Sequence, residues 1–237
     1  MNRYRLRLQQ PPREAEILLA EQKVLDPRES GASGTWTPPG QLPPWVRQFG
    51  RFPNIDSWQP GDLLLVSATR PPFASRAVIS AQQSGGYRTE DARWHHAAVY
   101  IGGRIGLCEA TLRGVGSGPI YPYIGKHLLR VRRDPALSRE EGWEIAVSAL
   151  TRLRSSYSFG SIVRHTLQAG SGFWKPSSHA HYSRTRSVIC SQLYADAYSM
   201  VTGKVLFNPA NGEVSPAFLS STGNLVDVDL CWQTIGS

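Results

Sequence analysis

The chain has 237 residues, 41% hydrophobic and 19% charged, which suits one sizeable core and excludes a disordered or fibrous protein. No apolar run approaches eighteen residues, so no membrane-spanning helix is expected, and three widely spaced cysteines (Cys108, Cys190 and Cys231) fit neither a disulfide framework nor a zinc ribbon. The net charge of +8 is carried by 22 arginines and 4 lysines and favours acidic partners in general. No basic block exceeds two residues and no nucleic-acid-binding signature appears, so specific nucleic-acid binding is not expected.

The first ten residues, MNRYRLRLQQ, are basic but lead into PPREAE rather than an apolar stretch. The expectation is synthesis in the cytoplasm without a Sec-type signal peptide. Residues 13–25 suggest a short amphipathic helix ending near Asp26-Pro27. A segment rich in Pro, Gly and Trp follows, and its tryptophans (Trp36, Trp45, Trp58) are expected to clamp it onto a core. Residues 1–57 are therefore read as an extension packed on the core and 58–237 as the main domain.

After the Pro60-Gly61 turn, residues 62–66 read as a buried strand. Residues 94–101 and 105–111 read as two strands around Gly102-Gly103, and 128–132 as a fourth. Residues 138–154 have helical spacing, with Trp143, Val147, Leu150 and Leu153 as the expected buried stripe and Ser138 with Glu141 as a capping box. Residues 168–187 form a polar loop. A second helix runs from Cys190 to Val201, with Leu193, Tyr194, Ala197 and Tyr198 on one stripe and Gly203 as its stop. The fold class expected is α+β, a mostly antiparallel sheet packed against helices.

Three side chains can carry chemistry together. With Gly102-Gly103 as a two-residue turn, opposed residue numbers sum to about 205, so His96 faces Glu109 directly. Moving the turn by one residue pairs His96 with Thr111 instead. A carboxylate beside an imidazole holds one tautomer and stabilises its charged form. Strand alternation puts His96, Ala98 and Tyr100 on one face and turns Cys108 away. The small Ala98 is expected to leave room on that face for the helix that begins at Cys190. A cysteine at a helix N-terminus feels the positive end of the dipole, which favours the thiolate. The backbone N–H groups of Cys190 and Ser191 are candidate oxyanion donors.

The segment His96-Ala-Ala-Val-Tyr-Ile-Gly resembles the histidine strand of NlpC-type cysteine peptidases, a branch of the papain-like fold. The order is Gly61-Asp62 strand, histidine strand, glutamate strand, EATLRGVGSG, then Ile189-Cys190-Ser191-Gln192-Leu193, then Ser215-Pro216-Ala-Phe-Leu. That order resembles the circularly permuted, YiiX-like branch over about residues 58–230. The resemblance implies a permuted papain-like fold with Cys190 as nucleophile, His96 as base and then acid, and Glu109 as the third member. The family pairs Tyr with Asp upstream of the cysteine, whereas Tyr157 here precedes Ser158. Tyr157, Trp174 and Ala98 are candidate pocket residues.

The function expected is a cysteine hydrolase cleaving amide bonds through a thioester, with no cofactor. The family's habits suggest a peptide or peptidoglycan-like substrate. With no signal peptide read, an exported antibacterial effector is one outcome, its partners then a contact-dependent secretion apparatus and an inhibitor or immunity protein. The alternatives are a lipid acyl hydrolase or acyltransferase of the same fold, or a catalytically silent binding module. His179 and His181 invite a metal reading, but the loop supplies few other ligands, so no metal is expected.

Overall fold

A computed structural model describes residues 22–103, 105–111, 113–153, 156–157, 187–188, 190–207 and 214–236. Its centre is a six-stranded antiparallel sheet. The strands are β3 (Leu63–Ala68), β4 (His96–Gly102), β5 (Gly106–Thr111), β6 (Gly114–Pro119), β7 (His127–Arg133) and β10 (Val226–Asp227), in the order β10-β7-β3-β4-β5-β6. A three-stranded sheet joins β1 (Thr35–Trp36), β11 (Trp232–Ile235) and β2 (Arg51–Pro53), so the Pro/Trp-rich segment and the last strand meet in one ribbon. Two short strands, β8 (Ser156–Tyr157) and β9 (Ser187–Val188), pair in parallel. The helices are α1 (Pro44–Phe49), α2 (Phe73–Ser84), α3 (Thr89–Ala92), α4 (Arg139–Leu150), α5 (Cys190–Thr202) and α6 (Pro216–Ser221). The fold is therefore α+β with an antiparallel sheet, as the patterning predicts.

Period-2 alternation sends successive residues of each central strand to opposite faces. Leu63, Leu65, Ala97, Val99 and Cys108 face α4, α5 and α6, packing on Ile145, Ala149, Leu193 and Leu219. Leu64, Val66, Ala98, Leu129 and Val131 face the Pro/Trp-rich segment, packing on Trp36, Phe52, Ile55, Trp58 and Trp232. Because both faces are covered, β3 reads as a continuous apolar run, LLLV, rather than an alternating one. Phe52 stacks on Trp36 with ring centroids 4.0 Å apart. Trp36 and Trp58 are buried as expected of a clamp, but Trp45 is half exposed, its indole N–H donating to the Tyr121 carbonyl at 3.3 Å.

Two local expectations are corrected, and a strand appears where none was read. Most of the N-terminal helix expected over 13–25 lies outside the described residues. Its described end is not helical: Leu25 exchanges both backbone hydrogen bonds with Leu129 at the margin of β7. Helix α4 begins with the predicted capping box, Ser138 accepting from the Glu141 amide and Glu141 from that of Ser138. However, α4 buries Gly142, Ile145, Ala146 and Ala149 and leaves Trp143 and Val147 substantially exposed, while Leu153 lies exposed in the turn beyond its end. The small-residue face wins because α4 lies very close to the backbone. A Cβ on Gly61 would come within 2.4 Å of the Gly142 carbonyl, and Gly61 has φ +88°. The added strand is β6, which propensity does not announce. Its GVGSGP sequence pairs along the whole length of β5 as the edge of the sheet.

Several arginines are structural. Arg130 and Arg132 are buried and donate to carbonyls at the C-terminal end of α6, Arg130 to Ser220 at 3.0 Å and Arg132 to Leu219 at 2.7 Å. Arg133 grips the buried Asp62 through two hydrogen bonds, of 2.6 and 2.7 Å. Part of the positive charge thus fastens elements to the sheet, where an arginine fork can satisfy several carbonyls at once.

Candidate active site

The site forms at the start of β4. The β4–β5 ladder runs Ala98↔Glu109, Val99↔Cys108 and Tyr100↔Leu107, and then shifts to Gly102↔Gly106. The direct His96–Glu109 pairing is therefore corrected. Glu109 faces Ala98, which is the register expected when the turn is moved by one residue, the alternative that sets Thr111 rather than Glu109 against His96. His96 and Glu109 are diagonal neighbours on one face, a spacing that long side chains still bridge. His96 Nε2 donates to Glu109 Oε2 at 2.6 Å, and both side chains are largely covered, at 16% and 18% exposure.

The ladder with β5 ends at Ala98. The Tyr100 amide donates toward β3, to the Asp62 carbonyl at 2.8 Å, so by alternation the Ala97 amide faces β5, where the ladder has stopped. That amide and the Ser191 amide both hydrogen-bond the Cys190 sulfur. Cys190 opens the 13-residue helix α5 and is 8% exposed. The thiol thus sits at the gap where β4 and β5 separate. Helix α5 approaches over Ala97 and Val99, not over Ala98 as expected; Ala98 is fully buried against the other face, among Leu64 and Val66.

Charge follows from this placement. Burial disfavours the Cys190 thiolate, but hydrogen bonding to His96, the imidazolium charge and the Ala97 and Ser191 amides outweigh it and lower its pKa. Burial also works against charge on His96, and is overcome by hydrogen bonds to Cys190 and Glu109 and by their charges, which raise its pKa to about 10. With Nε2 taken by Glu109, Nδ1 is left for the sulfur. Burial pushes Glu109 up, yet its bonds to His96 and Tyr123 bring it below the ordinary value. The favoured state is a thiolate–imidazolium pair backed by a carboxylate, the electrostatic pattern of an activated thiol nucleophile.

Neighbouring groups of the same kinds behave oppositely. Burial and the charge of Glu109 raise Cys108 to about 11. Burial and the charges of His96 and His127 depress His95 to about 4, and its Nε2 accepts the Ala68 amide at 2.9 Å. His95 is therefore a neutral structural histidine.

Tyr123, in a 3₁₀ turn over Tyr121–Tyr123, is a member of the site that patterning misses. Its hydroxyl donates to the same Glu109 oxygen that His96 uses. The YPY turn carries no periodicity and lies fourteen residues from Glu109, so the sequence signal is only an aromatic before the β7 strand. Ser191 is buried and its hydroxyl donates to the Val214 carbonyl at 2.8 Å, which fastens the helix start while leaving its amide for the sulfur. Tyr157 lies in β8, where it pairs with Val188, two residues before Cys190. Trp174, His179 and His181 lie outside the described residues. Among the described residues no cluster of three His, Cys, Asp or Glu groups is placed to hold a metal ion, and no helix is long and apolar enough to cross a membrane.

No family model matches the sequence, and no curated protein matches it. Among solved structures, the chain is similar to the crystal structure of metalloprotein YiiX from Escherichia coli O157:H7, with a TM-score of 0.49 and 18% sequence identity, covering 72% of this chain and 96% of that one.

Proposed function

We propose that this chain is a cysteine hydrolase of amide bonds on a permuted papain-like fold of the NlpC type. The observation that carries the reading is the Cys190 thiol at the start of α5, hydrogen-bonded to an imidazole that is itself bound to Glu109 at 2.6 Å. The Cys190 thiolate attacks the carbonyl carbon, and the oxyanion is received by backbone amides at the N-terminus of α5, those of Cys190 and Ser191. His96 gives its proton to the departing amine as the C–N bond breaks, leaving a thioester on Cys190. His96 then takes a proton from water, whose oxygen attacks the thioester; the C–S bond breaks, the acid leaves, and the thiolate–imidazolium pair is restored. Glu109 keeps the ring in one orientation and supports its positive charge throughout.

Within this reading the substrate is a cell-wall-type peptide, and the chain acts as an exported effector. The chemistry is tested by alkylation with iodoacetamide near pH 6 followed by peptide mapping. Selective modification of Cys190 over Cys108 and Cys231 supports it, and uniformly slow labelling overturns it. The substrate is tested by incubation with purified sacculi and, separately, with lipid vesicles. Released peptides support the amidase, whereas acyl products from vesicles alone replace it with a lipid-acyl enzyme. Growth arrest on directing the chain to the periplasm but not the cytoplasm supports the effector role, and equal harmlessness in both compartments removes it.

A further inference from the structure

We propose that Tyr123 is a positioning residue, whose hydroxyl fixes the Glu109 carboxylate against His96; only its consequence for catalysis rests on the hydrolase reading. A carboxylate offers about four lone-pair directions on two oxygens. Here two donors from separate elements, His96 Nε2 on β4 and the Tyr123 hydroxyl, converge on one of them, Oε2. Such convergence selects one rotamer of the carboxyl group.

The register explains why a second anchor is needed. Glu109 faces Ala98, so the sheet does not aim it at His96, which it reaches only along a diagonal. Its side chain is 18% exposed, so water is available as a competing partner. Tyr123 supplies what the ladder does not. The residues around its turn, Ile120 and Ile124, are each 1% exposed. Its ring meets His127 edge-on at 5.3 Å and lies tilted against His96 at 5.9 Å. Burial and the nearby Glu109 charge raise its pKa far above the ordinary tyrosine value, so the hydroxyl remains a donor at every working pH.

The ionisable surroundings are few. Glu109 meets His96 from β4 and Tyr123 from the 3₁₀ turn, while Cys108 on its own strand points to the opposite face. His96 meets Cys190 from α5 and Glu109 from β5, and its charge is felt by His95 on its own strand and by His127 on β7. Of these groups, Tyr123 alone is a permanent neutral donor to the carboxylate. Removing its hydroxyl frees Glu109 to turn toward water and weakens the support of the imidazolium.

The test is an NMR titration of the full chain labelled at the histidine ring nitrogens. Tyr123→Phe is expected to lower the His96 midpoint by about one pH unit. Glu109→Gln is expected to lower it further, and adding Tyr123→Phe to Glu109→Gln should change it no more, because the hydroxyl acts through the carboxylate. Tyr123→Met, close in length but without the hydroxyl, provides the same readout if the phenylalanine variant does not fold. A His96 midpoint that stays or rises in the hydroxyl-free variant overturns the proposal, as does full additivity with Glu109→Gln. Alkylation of the wild-type chain near pH 6 is read separately. Unselective labelling there sinks the hydrolase reading, while the histidine titration still decides the role of Tyr123.

Discussion

The two faces of the central sheet are equally dry but differ in what their burial does. On the helical face the apolar residues of β3, β4 and β5 meet α4, α5 and α6, and the buried Cys108 is held as a neutral thiol, its pKa near 11. On the other face the Pro/Trp-rich segment covers Leu64, Val66 and Ala98, and Tyr123 packs against the same cluster while its hydroxyl meets the Glu109 carboxylate that also binds His96. Cys190 belongs by packing to the first face and by hydrogen bonding to the second, because it sits where the β4–β5 ladder has ended. Burial alone therefore does not activate a thiol. Two cysteines of comparable burial are driven in opposite directions by their partners.

The largest break in this comparison comes from His96→Ala. It removes the positive partner of Cys190 and leaves burial as the dominant influence, so Cys190 should come to resemble Cys108. Alkylation of Cys190 near pH 6 is expected to slow by about 100-fold or more, the effect of a pKa rise of two units or more on the thiolate fraction. Mass mapping of the alkylated peptides measures it. A variant whose Cys190 stays fast would mean that α5 and the two amides suffice without the imidazole.

The second break separates the two coverings. Phe52→Ala empties a fully buried site stacked on Trp36 and is expected to cost about 3–5 kcal/mol, read as a fall in the urea midpoint. Cys190 labelling of the folded fraction should be unchanged, because Phe52 lies in the covering and not at the gap. Leu193→Ala, one turn along the helix that carries the thiol, is expected to cost about 2–5 kcal/mol and also to slow Cys190 labelling. Equal effects of the two variants on labelling would show that the faces are not independent.

What was legible in the sequence follows the same division. Strands β3, β4, β5 and β7 and the start of α5 are readable because runs such as LLLV and HAAVYIG need only their own composition and a flanking Gly. His96, Glu109 and Cys190 are readable as residue types in a sensible order. The register was legible only as two alternatives: Gly102 and Gly103 both have positive φ, as a two-residue turn would need, yet the ladder follows the turn moved by one residue and slips again at Gly102↔Gly106. Helix α4 misled because it has two apolar faces, and close approach to Gly61 favoured the small one. Tyr123 and β6 were invisible because neither carries a period of its own: β6 is a Gly-rich strand held as the hairpin partner of β5, and Tyr123 sits in a short turn whose hydroxyl meets Glu109 only in the folded chain.

A smaller effect sharpens the electrostatic side. Glu109→Gln keeps the shape of the third member and removes its charge. His96, no longer raised by that charge, should titrate below its pKa of about 10 and lose some of its hold on the thiolate. The acid limb of Cys190 alkylation, followed between about pH 4 and 8, is expected to move up by about one unit. An unmoved limb would assign the activation of Cys190 to His96 and the backbone alone.

A last effect concerns two adjacent histidines, one on each side of the argument. His95 falls from about 6.5 unfolded to about 4 folded through burial and the charges of His96 and His127. Its contribution to stability is present above pH 6.5 and is lost as the pH falls toward 4, because the unfolded chain takes up the proton first. The loss is on the order of 2–3 kcal/mol. His96 has the opposite sign. Raised to about 10, it contributes below pH 6.5, and that contribution fades as the pH climbs through its folded value. His95→Gln retains an oxygen able to accept the Ala68 amide but has no titrating group. Urea midpoints at pH 7 and pH 5 should therefore draw closer together in the variant than in the wild type, while the decline between pH 8 and 10 remains. If the acid-side decline persists in His95→Gln, the instability belongs instead to Asp134 and Glu109, whose carboxyls are held below their ordinary values in the folded chain, and the contrast between positions 95 and 96 would then rest on their hydrogen bonds alone.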